Sequence, residues 1–415
     1  MRILALLSDC PWPPNTGSRV RNAYIWPALQ HLGAEIKLLA LDQGEPPAGG
    51  AAPAGGAVAA VAVAGGTPAS PAAASLDVEL HSFDHESYLL RGYHALRYSY
   101  HEWPESRSLR RRVRELVATW KPDVIHAEEL RMALYLPDRS LTPARAVRTM
   151  TLHNVESDLL RHTGSTALRR GRTAIEAMHL ASLRSFERRA VCSVDLAFAY
   201  SAADLGRYRE LYPAAHWAAT KNGTHASAIT PGPQPTAPAV LLVGSLGYAP
   251  NVHGLYWFLD HVLPLLPSDL RVTVAGSRAP DEVRRRLAVS PVRFVDTPDD
   301  LAPLYAEHAL SVVPVFQGSG TRGKILEALA YERAVVTTTP GAGGLELAEG
   351  EGYVLADDAE RFAARVARLV AAPDERAALA RRGRAAVLAR YDWSIVAGDL
   401  LAAWSSCAAR PGDRG

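Results

Sequence analysis

Short apolar runs of β-type residues alternate with helical stretches along this chain, and the series runs through twice. The first series comprises Arg2–Leu7, Glu35–Leu41, Asp123–Ala127, Arg145–His153 and Asp195–Tyr200. The second comprises Ala239–Gly244, Leu270–Gly276, Val292–Asp296, Ala309–Val315, Arg333–Thr339 and Gly352–Asp357. Strands alternating with helices predict βαβ units and a parallel sheet with helices on both faces. Between the two series lies KNGTHASAITPGPQPTAP (Lys221–Pro238), whose turn-forming residues read as a linker. A chain of 415 residues also exceeds what one hydrophobic core usually supports. The expectation is an α/β protein of two doubly wound, Rossmann-like domains facing a central cleft. Its parts are a domain over 1–222, a linker over 223–238, a second domain over 239–390, and a terminal helix over 391–407. That helix carries an apolar stripe (Trp393, Ile395, Val396, Leu400, Leu401, Trp404), predicting that it packs back on the first domain; Asp392 is its candidate N-cap.

Composition narrows the function classes. A hydrophobic content of 48% excludes disorder of the whole chain, and a net charge of +2 gives no strong footprint for nucleic acid. Three scattered cysteines, Cys10, Cys192 and Cys407, without C-x-x-C spacing favour a reducing cytoplasm and no structural metal. The N-terminus enters at once into a strand and does not read as a signal peptide. Residues 43–75, rich in Ala, Gly and Pro, read as a low-complexity loop. Arginine runs at Arg107–Lys121 and Leu168–Ala190 read as solvated helix faces, with a weak membrane-surface contact or an acidic acceptor as the alternative role.

In open sheets of this kind ligands sit beyond the carboxyl ends of the strands. GSGTRGK (Gly318–Lys324) is such a loop and fits two textual patterns. As a P-loop it lacks the Ser or Thr after the lysine that helps hold Mg²⁺, because Ile325 stands there. As a dinucleotide fingerprint it lacks the acidic residue at the end of the next strand that would hold a ribose. What survives is shared physics: Gly318 and Gly320 bring backbone N–H groups close, a helix N-terminus adds partial positive charge, and Arg322 and Lys324 reinforce it. A phosphate or diphosphate is the natural guest. Glu327, three residues past Lys324 on the same face, suits the hydroxyls of a ribose.

These residues, with LLVGSLGYAPNVHGLYWFL, FERRAVCSVDLAFAYSAADL, KNGT and YDWSIVAGDLL in order, resemble the retaining GT-B glycosyltransferases, specifically glycosyltransferase family 4. The resemblance implies the GT-B fold and a donor site in the second domain. Glu327 matches the second glutamate of the family's E-x7-E motif, which binds the nucleotide ribose. Ser319 falls where the first glutamate, which holds donor sugar hydroxyls, should be; this is a departure. A second departure is GSLGYAPNVHG (Gly244–Gly254), where many relatives place an Arg and a Lys on the diphosphate. Arg322 and Lys324 are the substitutes, with Gly244, Asn251 and Thr321 as further donor-site candidates. In the first domain Gly17 matches the glycine of the family's N-terminal loop, with Arg19 and Arg21 nearby. His153 matches the cleft histidine that hydrogen-bonds the donor sugar. Arg19, His126 and Glu128 are candidates for the acceptor side.

The resemblance implies transfer of a sugar from a nucleoside-diphosphate sugar to a carbohydrate or small-molecule hydroxyl, retaining anomeric configuration, with catalysis by His153, Arg322 and Lys324. No metal or other cofactor is expected, since fixed N–H groups and cations can carry the charge of the departing diphosphate. A nucleotide-sugar 2-epimerase, a sugar phosphorylase or a non-catalytic sugar-nucleotide-binding protein would share the architecture.

Overall fold

The computed structural model describes residues 1–12, 17–42, 58–60, 76–83, 105–158, 174–317 and 323–409. Its chain divides into two compact units. Of the described residues, the first holds 1–12, 17–42, 58–60, 76–83, 105–158, 174–221 and 397–409; the second holds 222–317 and 323–396.

The first unit is built on an eight-stranded sheet in the order β3-β4-β2-β1-β5-β6-β7-β8. Its strands are β1 (Arg2–Leu7), β2 (Glu35–Leu41), β3 (Val58–Ala60), β4 (Asp77–His81), β5 (Val124–Glu128), β6 (Val147–Leu152), β7 (Leu196–Ala199) and β8 (Trp217–Ala219). All neighbours are parallel except β3, which runs antiparallel to β4. Strand β1 is buried from Ile3 to Leu7 and β5 along its whole length, as a sheet covered on both faces requires. Successive strands after β1 run outward to one side through β2 and β4, and from β5 onward to the other. The sheet therefore reverses direction between β1 and β5.

Numbering helices of eight or more residues, this unit contributes α1 (Gly17–His31), α2 (Arg107–Thr119), α3 (Ala174–Ser193) and α4 (Ala202–Leu211). Helix α2 shows how the first arginine run is used. Ser106 caps it, accepting a hydrogen bond from the Leu109 amide (3.3 Å), and Leu109, Val113, Leu116 and Val117 form the buried stripe. Arg112 pairs with Glu79 (2.9 Å) and Glu115 (2.7 Å), and Arg110 with Glu105 (2.8 Å). This is a solvated face with its own counter-ions, and it lends no support to membrane contact. Among the described residues, no helix is long and apolar enough to cross a membrane.

The second unit holds a six-stranded, wholly parallel sheet, β11-β10-β9-β12-β13-β14. Its strands are β9 (Ala239–Val243), β10 (Arg271–Gly276), β11 (Arg293–Asp296), β12 (Leu310–Val313), β13 (Ala334–Thr337) and β14 (Tyr353–Leu355). Its helices are α5 (Ala249–Trp257), α6 (Asp281–Ala288), α7 (Gly323–Ala330), α8 (Ala359–Ala371) and α9 (Pro373–Arg390). Here the reversal falls between β9 and β12. The Gly/Pro/Thr-rich segment before β9 is fastened to this unit by arginines. Buried Arg333 donates to the Pro233 carbonyl (3.1 Å), buried Arg376 to Pro235 (2.9 Å) and Arg384 to Ile229 (2.7 Å).

The last helix, α10 (Trp393–Ala408), spans the boundary of the two units. Asp392 accepts from the Ser394 amide (3.1 Å) at its start and from the Ser227 amide (2.8 Å). Trp404, fully buried, packs in the first unit against His126 and Phe198.

Candidate active site

Each unit gathers polar side chains at the carboxyl ends of the strands flanking its point of reversal, where the fold leaves a crevice for ligands.

In the second unit α5 follows β9 and α7 follows β12, so the helices after the two central strands start side by side. Lys324, in the first turn of α7, donates from Nζ to Asn251 Oδ1 (2.5 Å). Asn251 is not the cap of α5, a place held by Tyr248; its Nδ2 instead donates to the Ser245 carbonyl (2.9 Å). Gly244 closes the group: a Cβ there would lie 3.1 Å from Asn251 Nδ2 and 3.4 Å from Lys324 Nζ. Helix α5 reaches this place because Gly254 lets it lie on the backbone after β12. A Cβ at that position would come within 1.8 Å of the Pro314 carbonyl oxygen.

Glu327 lies on α7 one turn beyond Lys324, half-buried. Burial pushes its carboxyl up to about 7, with the Asp300 carboxylate adding to the rise and the hydroxyl of Tyr305, 3.4 Å from Oε2, opposing it. Tyr305 is itself buried and stacks on Tyr331 with ring centroids 4.5 Å apart. The structure thus brings Gly244, Asn251, Lys324 and Glu327 into one region. Gly318, Ser319, Gly320, Thr321 and Arg322 lie outside the described residues.

In the first unit three neighbouring strands, β5, β6 and β7, end beside one another and each delivers a polar residue, joined by Arg21 from α1. Glu128, last in β5, is 1% exposed. Its Oε1 accepts from Tyr200 Oη (2.7 Å) and His153 Nε2 (3.0 Å) and pairs with Arg21 Nε (3.3 Å); its Oε2 accepts from His126 Nε2 (3.0 Å). Burial alone would raise this carboxyl, but the Arg21 charge and the hydrogen bonds from the two histidines outweigh it and hold Glu128 well below the usual range. Arg21 is anchored in turn by the Lys221 carbonyl (2.7 Å), and its guanidinium lies 4.7 Å over the Tyr200 ring.

His153, just past β6, keeps 20% of its side chain exposed. Burial works to lower its pKa, but the hydrogen bond to Glu128 and the Glu129 charge raise it overall. Its Nδ1 lies 3.9 Å from Glu129 Oε1. Glu129 adopts φ 78°, a left-handed conformation uncommon outside glycine, at the point where the chain leaves β5. Beyond it, burial and the carboxylates of Glu129 and Glu187 push Glu156 up to about 7.

The three residues expected on the acceptor side are all buried. His126 is 1% exposed, enclosed by Trp26, Phe198 and Trp404, with Nδ1 on Thr149 Oγ1 (2.7 Å). Glu128 is equally enclosed. Both lie inside because β5 is central and its side chains are covered from both faces. Arg19 is also buried, its Nε on Asp9 Oδ2 (2.7 Å). Gly17 stands at the start of α1. Tyr200 was legible to the same strand-end rule that picks out His153, since it directly follows LAFA, but a lone tyrosine carries no spacing signal. Tyr305 lay beyond any motif. Among the described residues no cluster of three His, Cys, Asp or Glu side chains could hold a metal ion.

Two doubly wound α/β units, each with polar groups at its point of reversal, make up the GT-B fold of glycosyltransferases. Known proteins agree. Residues 237–372 match the family described as Glycosyl transferases group 1. Over 135 residues the chain is 29% identical to an uncharacterized 44.6 kDa protein in the cps region of Klebsiella pneumoniae, covering 30% of this chain and 35% of that one. The match thus spans about a third of the relative's length. Among solved structures, sucrose-phosphate synthase from Thermosynechococcus elongatus is similar with a TM-score of 0.67 at 15% identity, over 98% of this chain and 99% of that one. HepE from Anabaena is similar with TM-scores of 0.65 in complex with UDP and 0.62 in complex with UDP-glucose, each at 15% identity over 98% of this chain and 100% of that one.

Proposed function

We propose that this chain is a retaining, family 4 glycosyltransferase that moves a sugar from a nucleoside-diphosphate sugar to an acceptor hydroxyl in glycan or natural-product assembly. The observation that carries the reading is the meeting of Lys324 and Asn251 beside Gly244 at the reversal between β9 and β12, with Glu327 one turn further along α7. A cation, an amide and an open glycine backbone suit a diphosphate, and a carboxylate a turn away suits ribose hydroxyls. UDP and UDP-glucose in the similar HepE structures support a nucleotide-sugar donor.

The costly event is departure of the anionic diphosphate from an oxocarbenium-like sugar. Lys324 and Arg322, with the N–H groups of the loop before α7, stabilise that charge as it develops. Their charge suffices without a metal ion. Glu327 orients the nucleotide and His153 holds the sugar, so binding energy remote from the reacting carbon fixes its position. The leaving phosphate, rather than a protein carboxylate, takes the acceptor proton. A cytoplasmic location fits the sugar-nucleotide supply.

Calorimetry against UDP, GDP, dTDP and ADP, repeated on Glu327→Ala, tests the reading. Selective binding of one nucleoside diphosphate, lost in the variant, is expected. Binding of none of them, or equal binding by both proteins, refutes the site.

A further inference from the structure

The His153 ring is held from behind by more groups than an ordinary strand-end histidine. We propose that Glu128 is a positioning residue, which with Tyr200 and Arg21 locks His153 so that Nε2–H points into the protein and Nδ1 is the ring nitrogen left for a donor sugar. The inference rests on the glycosyl-transfer reading for the word donor, but the geometry of the lock stands apart from it.

The argument is a count of donors. An ionised carboxylate only accepts hydrogen bonds, and its two oxygens offer about four places. At Glu128 three of these are taken by Tyr200 Oη, His153 Nε2 and His126 Nε2, while the Arg21 guanidinium stands 3.3 Å away as an ion-pair partner. Both histidines must therefore carry a proton on Nε2. For His126 this leaves Nδ1 to accept from the Thr149 hydroxyl at 2.7 Å, closing an interior network. For His153 it leaves Nδ1 on the side away from Glu128, with Glu129 Oε1 3.9 Å off. The Tyr200 hydroxyl, having donated to Glu128, can accept from His153 Nε2 at 3.1 Å, and the Tyr200 ring meets the imidazole edge-on at 4.6 Å. Rotation of the His153 ring would break two hydrogen bonds to buried groups, so the tautomer and the rotamer are fixed together.

The charged groups around His153 come from four directions. Glu128 and Glu129 lie at the end of β5, Arg21 on α1, Tyr200 past β7, and Glu156 in the turn after β6. Glu128 and Glu129 favour the imidazolium, while burial and Arg21 oppose it. When protonated, the ring offers Nδ1–H to a sugar oxygen, with Glu128 as its buried counter-charge. Replacing Glu128 by a neutral amide leaves Glu129 alone to oppose burial and Arg21, so the ring's pKa falls.

The test follows the His153 ring by ¹⁵N and ¹³C NMR on the full-length chain, with the signal assigned by its loss in His153→Gln. In the wild type above its midpoint, the ring should be the Nε2–H tautomer; an Nδ1–H tautomer overturns the proposal without any variant. In Glu128→Gln the midpoint should fall by about one unit or more, and in Glu128→Asp it should stay near the wild type. Equal midpoints in wild type and Glu128→Gln overturn it. With UDP-glucose as probe, kcat for UDP release should fall about tenfold to a hundredfold in Glu128→Gln with little change in KM. Glu128→Gln should add no further loss in a His153→Gln background; full additivity refutes a role through His153. No release by the wild type would count against the glycosyl-transfer reading alone, since the ring titration still decides the role of Glu128.

Discussion

Glu327→Gln should remove a pH dependence that the wild-type protein shows in binding UDP-glucose. Burial and Asp300 push the Glu327 carboxyl up to about 7, so the free protein holds it largely ionised at about pH 8 and largely protonated at about pH 5.5. A midpoint near 7 makes the ionised fraction about 90% at the higher pH and about 3% at the lower. If only the carboxylate accepts the two ribose hydroxyls, apparent affinity scales with that fraction, a loss of about thirtyfold on acidification. The sign follows from the raised pKa: binding is strongest above the midpoint and weakens as pH falls through it. UDP-glucose is the right ligand because its esterified diphosphate does not titrate in this window, whereas the terminal phosphate of UDP does. Calorimetry across the range should give log Kd rising by about one per unit below pH 7. Glu327→Gln should bind weakly and without this slope. Tyr305→Phe, which removes the hydroxyl that opposes the rise, should move the midpoint upward. A flat wild-type profile, or the same slope in Glu327→Gln, would refute the ribose contact.

Lys324→Ala should lower kcat for UDP release by about a hundredfold to a thousandfold, with affinity for the nucleotide changed much less; equal losses in both would make Lys324 a binding group only. Trp404→Ala removes a fully buried ring that packs on His126 and Phe198, and should cost the first unit about 3–5 kcal/mol in a urea titration. A loss under about 1 kcal/mol would mean that α10 is not docked there in solution. Gly254→Ala drives a methyl into the Pro314 carbonyl and should cost about 1–3 kcal/mol while weakening UDP-glucose binding through Asn251. Gly206→Ala in α4, where nothing lies within 4 Å, should instead stabilise by about 0.5–1 kcal/mol.

What the amino-acid order determined by itself is the strand and helix series and the loops where ligands belong. Strands such as β1 and β9 are apolar runs long enough to declare themselves, and their carboxyl ends pointed to Glu128, His153, Asn251, Lys324 and Glu327 before any coordinates. Strand β4, DVELH, gives no such signal because polar residues interrupt it, and β8 none because three residues carry no periodicity. Only the tertiary structure decided what each polar residue faces. His126 and Glu128 share a strand end with Glu129, yet the first two are sealed inside and the third, at a left-handed φ, is only half-buried. No local pattern holds that difference, because it comes from Trp26, Phe198, Trp404, Arg21 and Tyr200, which arrive from α1, β7 and α10. Hydrophobic periodicity is a short-range property of the chain, whereas burial and protonation depend on neighbours that folding brings from far along it.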